Sequence, residues 1–214
     1  FSRVPDIQGW TQDEALLVVG FFTLLEGFAN TLLRVNLSRI VRHVREGTMD
    51  FVLLKPIDPQ FWLSTRNFSS WGVPDLAYGL ILIIYAGSRI GLEPLNYVLG
   101  IPPLVLGVIV LYTMWFILGS TSIWFVKVFN ATYVLHNLLA AGKFPVAVYP
   151  SVVLRFIFTF VVPVAFLTTV PARMMLGRAG LMWLAGAAVM AGLLLIAARA
   201  WWRFALRFYT SASS

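Results

Sequence analysis

R-I-V-R-H-V-R-E-G-T-M-D-F-V-L-L-K-P-I-D-P, residues Arg39 to Pro59, is the stretch where charge concentrates in a chain that otherwise avoids it. Arg39, Arg42, His43, Arg45 and Glu46 share helical spacing with Ile40, Val41 and Val44, which predicts a short amphipathic helix. Gly47 supplies its stop, because glycine takes the left-handed conformation that ends a helix without a side-chain clash. Thr48 and Asp50 are placed to cap a second short helix, whose apolar side, Met49, Val52, Leu53 and Leu54, ends at Pro56. A loop that only needed charge to lie on anionic headgroups would not carry Phe51, Val52, Leu53 and Leu54, which want a lipid interface or a groove in a partner. Two small helices broken at a glycine therefore make a knob on a membrane surface.

Outside this stretch the chain reads as lipid-embedded. With 59% hydrophobic residues, 12% charged and a mean hydropathy of +0.83, its 214 residues exclude a soluble globular domain. No carboxylate follows Glu93, so the second half cannot supply carboxylate catalysis or a carboxylate metal site. The net charge of +7 suits loops facing anionic lipid, and nucleic acid is not expected as a partner. Zero cysteines exclude disulfides, zinc-thiolate sites and thiol nucleophiles. A phosphate-binding loop needs G-x-x-x-x-G-K-[ST]. The Gly142-Lys143 pair is followed by Phe144 and lacks the upstream glycine, so ATP hydrolysis by that route is excluded. His43 and His136 form no H-E-x-x-H pattern, and Ser120 and Ser122 read as packing hydroxyls. No catalytic residue, metal site or cofactor is expected in this chain.

Hydropathy predicts spans at 15–33, 71–90, 102–126, 151–170 and 181–201 within a single transmembrane domain 1–214. Thr11 or Asp13 caps the first, after a polar loop in which Trp10 is interfacial. Glu26 and Asn30, four apart on one helix face, cannot point comfortably at lipid. They serve either an interhelical hydrogen bond in the bundle interior or substrate passage. Asp75 is interfacial, Pro102-Pro103 opens the third span, and Pro163 kinks the fourth, which a loop over Pro171 to Gly180 follows. Residues 129–150, interrupted by His136, Asn137, Gly142, Lys143 and Pro145, are interfacial or re-entrant, with a true span as the alternative. Ala188 and Gly192 offer a small-residue packing face on the last span.

Basic residues sort by side. Arg34, Arg39, Arg42, Arg45, Lys55, Arg66, Lys127, Lys143, Arg155, Arg199, Arg203 and Arg207 fall on one, and Arg3, Arg89, Arg173 and Arg178 on the other. The positive-inside rule makes the richer side cytoplasmic, so Phe1 starts outside and one earlier span is expected to precede it.

Five stretches carry a resemblance: Gly9-Trp10-Thr11 through Glu14, R-E-G-T-M-D-F-V-L-L-K-P from Arg45 to Pro56, F-P-V-A-V-Y-P from Phe144 to Pro150, F-V-V-P-V-A-F with V-P-A-R between Phe160 and Arg173, and the tail from Trp201 to Ser214. In these the chain resembles the ABC-2-type transporter permeases of bacteria. The resemblance implies an all-α polytopic membrane protein of the six-span permease fold, about five spans of which are present here. It further implies a second permease subunit, the same or related, and a separate ABC ATPase dimer that holds ATP and Mg, at the bacterial cytoplasmic (inner) membrane. The segment after the second span of that fold is the coupling helix, which here falls on Arg42, Arg45, Glu46, Gly47, Asp50, Leu53, Leu54, Lys55 and Pro56. The expected function is a permease, by the resemblance an exporter, that couples ATP hydrolysis in the partner to translocation. The alternative is a membrane scaffold that recruits a cytoplasmic partner and moves nothing. Aromatics such as Trp115 and Phe116 suit lipids, drugs and glycans alike.

Overall fold

Helix α1, Gln12–Arg45, runs unbroken for 34 residues in the computed structural model, which describes residues 8–124 and 135–209. Arg3, the expected third-span end near Val126, Lys127, residues 129–134 and the tail from Thr210 lie outside the described residues. Thr11 caps α1 reciprocally: its hydroxyl accepts the Glu14 N–H at 3.3 Å while the Glu14 carboxylate accepts the Thr11 N–H at 3.0 Å. The short amphipathic helix expected over Arg39–Glu46 is the last part of α1, not a separate element. Nothing in R-V-N-L-S between Leu33 and Arg39 breaks a helix, and one π turn over Ala29–Leu33 absorbs the change of buried face. At 1.5 Å per residue α1 is about 51 Å long, roughly 20 Å more than the hydrocarbon needs, so its basic end stands clear of it. Gly47 stops it at φ +66°, with the Thr48 N–H donating to the His43 carbonyl at 3.0 Å.

The chain then forms α2, Asp50–Leu53, and α3, Pro59–Thr65, and returns as α4, Ser70–Ile90. The seam between α1 and α4 is built on glycine. Gly20 and Gly27 of α1 face Ile83 and Leu76, while Gly79 and Gly72 of α4 face Leu24 and Thr31, in antiparallel register. A Cβ on Gly27 would lie 2.4 Å from the Leu76 nitrogen, and one on Gly79 would lie 2.5 Å from the Leu24 nitrogen. Only hydrogen fits there, and the two backbones touch.

Helix α5, Pro94–Ile123, begins two turns before the expected start. Glu93 caps it together with Asn96, Pro94 occupies the first turn, and Pro102 and Pro103 lie inside the helix. Their signal reads as a start only while the Glu93 cap goes unrecognised. The expected kinked span over 151–170 forms two pieces, α6 (Val152–Val161) and α7 (Ala165–Met175), bent by 76° around Val162-Pro163. The α6 piece is largely exposed, whereas α7 is buried against α1 and α5. Pro171 lies inside α7, directly after the π turn Ala165–Thr169, and the helix continues past it to Met175, so the expected loop shrinks to 176–180. Helix α8, Leu181–Leu206, packs through Ala187, Ala191, Ala198 and Trp202. The expected Ala188–Gly192 face is turned away from the bundle, since Ala188 is exposed and nothing lies within 4 Å of a Cβ on Gly192. The buried stripe is the one that continues into Trp202, which packs edge-on against Phe116 of α5.

The described part of 129–150 is partly packed against the bundle, with Asn137, Leu138, Lys143 and Phe144 exposed. Leu139, Gly142 and Val146 are buried, the Thr168 hydroxyl donates to the Gly142 carbonyl at 2.9 Å, and the Val146 N–H donates to the Thr169 hydroxyl at 3.2 Å. Irregular backbone at such depth survives because protein groups satisfy it. Helices α1, α4, α5 and α8 are long and apolar enough to cross a membrane, with a fifth crossing if α6 and α7 form one broken span.

The charges divide between the two ends. At the α1 start Arg178 pairs with Glu14 at 2.6 Å and Arg89 with Asp13 at 3.0 Å. The opposite end gathers Arg39, Arg42, Arg45, Lys55, Arg66, Arg199, Arg203 and Arg207. Lys143, counted on the basic side from sequence, lies over the Phe22 ring partway along α1, and Arg155 donates to the Tyr149 carbonyl.

Gly79→Leu should destabilise the protein by about 1–3 kcal/mol or more by forcing α1 and α4 apart, whereas Gly192→Leu should stay within about 0.5 kcal/mol of the parent. Thermal unfolding in neutral detergent, followed by tryptophan fluorescence, measures both, and equal melting of the two variants would contradict the glycine seam.

Candidate functional site

The knob between α1 and α4 is clamped, not loose. Its α2 begins at Met49 without a side-chain cap; the Thr48 hydroxyl pairs with His43 Nδ1 at 2.8 Å instead, so neither Thr48 nor Asp50 caps this helix. The apolar side expected to be continuous is divided. Met49 and Val52 are buried in the main core beside Ile40 and Leu63, Leu53 is half-buried against the same core, and Leu54 and Phe51 are 81% and 71% exposed. Ile57 and Phe61 are exposed too. Arg42 and Glu46 form a 3.8 Å ion pair on the outer surface, worth little by itself, near Arg45 and the Gly47 turn. Lys55, beside exposed Pro56, lies 4.7 Å from the centre of the Trp62 ring, and the Arg66 guanidinium lies 5.1 Å from it.

Three polar ties fix the knob to its neighbours. Asp58 caps α3 through the Phe61 N–H at 3.0 Å and binds the Arg199 guanidinium of α8. Arg199 also donates to Gln60 at 3.1 Å, and Gln60 donates to the Tyr112 hydroxyl of α5 at 3.1 Å. Asn36 of α1, fully buried, accepts the Asn67 N–H at 2.9 Å and donates to the Asn67 carbonyl at 2.8 Å. The Arg199 hydrogen bond holds the Asp58 carboxyl below its ordinary range, so this tie persists through neutral pH and fails only as pH falls through the lowered value. Sequence reasoning missed Asp58, Gln60, Tyr112, Arg199, Asn36 and Asn67. Asp58-Pro59 is a legible helix start; its partner in α8 is not.

A second polar group lies deeper. Arg34 donates to Glu26 at 2.8 Å and to Asn30 at 2.6 Å, and Asn30 donates across the seam to Asp75 of α4 at 3.1 Å. Asp75, expected only as an interfacial residue, is thus part of a helix-to-helix network. Side chains four apart overshoot an α-helical turn, and the π turn over Ala29–Leu33 takes up the excess, stacking Glu26, Asn30 and Arg34 in one column. His136 Nδ1 accepts from Arg34 at 2.6 Å and stands 3.7 Å from Glu26, and the Arg34 guanidinium lies 5.3 Å from the Trp115 ring centre. Glu26 also borders a small cavity with Gly142 and Thr168 on its wall. Among the described residues no group of His, Asp and Glu has the arrangement of a metal site.

All-α architecture, apolar helices long enough to cross a bilayer and charge sorted to the helix ends define a polytopic membrane protein. The chain belongs to the ABC-2 transporter family: the model of the family described as ABC-2 family transporter protein matches residues 1–213. It is a membrane component, the permease, of an ABC transporter. Comparison with curated proteins and with solved structures returns no match.

Arg34→Gln would strip Glu26 of its guanidinium, with only 16% of that carboxylate side chain exposed. The expected cost is roughly 1–3 kcal/mol, and a Glu26→Gln/Arg34→Gln double variant should recover part of it, because no unpaired charge remains. Melting of the four proteins of this cycle reads the coupling, and strictly additive losses would contradict it.

Proposed function

We propose that the knob is the docking face for a cytoplasmic ABC ATPase, and that the chain converts nucleotide-driven movement of that partner into opening of a path shared with a second permease subunit. The observation that carries this reading is the exposure of Phe51, Leu54, Ile57 and Phe61 on an element otherwise clamped by Asn36, Asp58 and Gln60. Large apolar side chains exposed on a rigid mount suit a partner groove, and a push on them passes to α8 through Asp58 and Arg199 and to α5 through Gln60 and Tyr112. Arg42, Arg45, Glu46, Asp50 and Lys55 around them would steer and orient the partner. ATP and Mg would reside in that ATPase. The charge sorting supports a cytoplasmic knob at a bacterial inner membrane. Export is the direction favoured by likeness to the family.

Leu54→Asp or Phe51→Asp places a charge in the proposed contact without touching the core. The ATPase should cease to co-purify while melting of the permease alone stays unchanged. Leu53→Asp should instead lower the melting temperature, since Leu53 packs on the core. If Leu54→Asp and Phe51→Asp complexes assemble and turn over ATP as the parent does, the docking face is elsewhere. A complex that assembles normally in the parent and hydrolyses ATP but moves no substrate would favour the scaffold alternative.

A further inference from the structure

The last turns of α8 carry a feature that ATPase docking does not use. Arg199, Arg203 and Arg207 follow one another at four-residue spacing and form a stripe on one helix face. Arg199 is taken by Asp58. Arg203 and Arg207 are exposed and have no acidic partner among the described residues, and no carboxylate occurs anywhere in the sequence after Glu93. Several other cations at this end are engaged: Arg42 by Glu46, and Lys55 and Arg66 by the Trp62 ring.

Beside the arginine stripe runs a wall of rings. Trp124, at the end of α5, lies 5.2 Å from Trp201, 5.8 Å from Phe204 and 5.6 Å from Phe208, and Phe204 and Phe208 stack edge-on at 4.9 Å. Phe204 is 45% exposed and Phe208 52% exposed, so the wall presents an apolar face next to two unneutralised guanidiniums. Depth fixes what that combination meets. Helix α8 has 26 residues, about 39 Å, against roughly 30 Å of hydrocarbon. Measured from Leu181 the hydrocarbon ends near Ala200, which leaves Trp201 to Arg207 at the level of the headgroups.

We propose that Arg203 and Arg207, with the Trp124–Trp201–Phe204–Phe208 wall, form a binding site for an anionic phospholipid in the leaflet at the basic end. The guanidiniums donate to the phosphodiester and to a second anionic or hydroxyl-bearing headgroup, and the rings lie along the glycerol and the upper acyl chain. The site requires no ATPase and is independent of the docking reading. A lipid held there sits one helical turn from Arg199, and so next to the Asp58 tie that mounts the knob.

Native mass spectrometry of the full chain in neutral detergent, titrated with dioleoyl phosphatidylglycerol or dioleoyl phosphatidylcholine, tests the site. The parent should bind phosphatidylglycerol in preference, and more weakly as salt rises. R203Q/R207Q should lose roughly 30-fold in affinity, about fivefold for each arginine, with the phosphatidylcholine series unchanged. R207Q alone, the milder change, should lose about fivefold. Equal phosphatidylglycerol binding by parent and double variant would overturn the proposal, as would a parent that does not distinguish the two lipids. Displacement of the lipid by millimolar inorganic phosphate would also overturn it, because the site would then take a free anion and not a lipid.

Discussion

Backbone contact between α1 and α4 is the constraint on which the rest of the structure depends. Water cannot drive two helices together inside lipid, so close packing must. Gly20, Gly27, Gly72 and Gly79 permit an approach that any side chain would prevent. That approach fixes the register of α4 against α1 and thereby brings Asp75 to Asn30. It also sets the span of the knob, whose two ends are the end of α1 and the start of α4.

Above this seam charged and amide side chains of distant segments pair with one another. The π turn in α1 aligns Glu26, Asn30 and Arg34, and the elements that complete their shell, α4 and residues 135–139, arrive from distant sequence. At the outer ends the same logic operates with ion pairs, Glu14 with Arg178 and Asp58 with Arg199. Each joins the start or end of one long helix to a segment far along the chain. The knob is therefore not a separate lobe: Asp58 ties it to α8 through Arg199, and Gln60 ties it to α5 through Tyr112.

Much of this was legible in the sequence because local chemistry dictated it. Gly47 follows a basic amphipathic run and takes the left-handed turn that ends it, Pro163 breaks a helix, and the Glu26–Asn30 pair cannot face lipid. The misreadings have one cause, which is that the deciding partner is remote. Whether α1 stops at Leu33 depends on a break that the sequence does not contain, and its added length became visible only with Asn36 bonded to Asn67. Ala187–Ala191 and Ala188–Gly192 are equally small, and the shape of α5 selects the first. The apolar residues of α2 look like one face, yet the core takes Met49 and Val52 and leaves Phe51 and Leu54 outside.

The central claim is that the basic, knob-bearing end faces the cytoplasm. The chain has no cysteine, so single cysteines report without background. Lys55→Cys, on the exposed knob, and Ser88→Cys, exposed near the opposite end, can be treated with a membrane-impermeant maleimide in intact and in opened cells. The account predicts that Ser88→Cys is labelled in intact cells and Lys55→Cys only after the cells are opened. Labelling of Lys55→Cys in intact cells would contradict it.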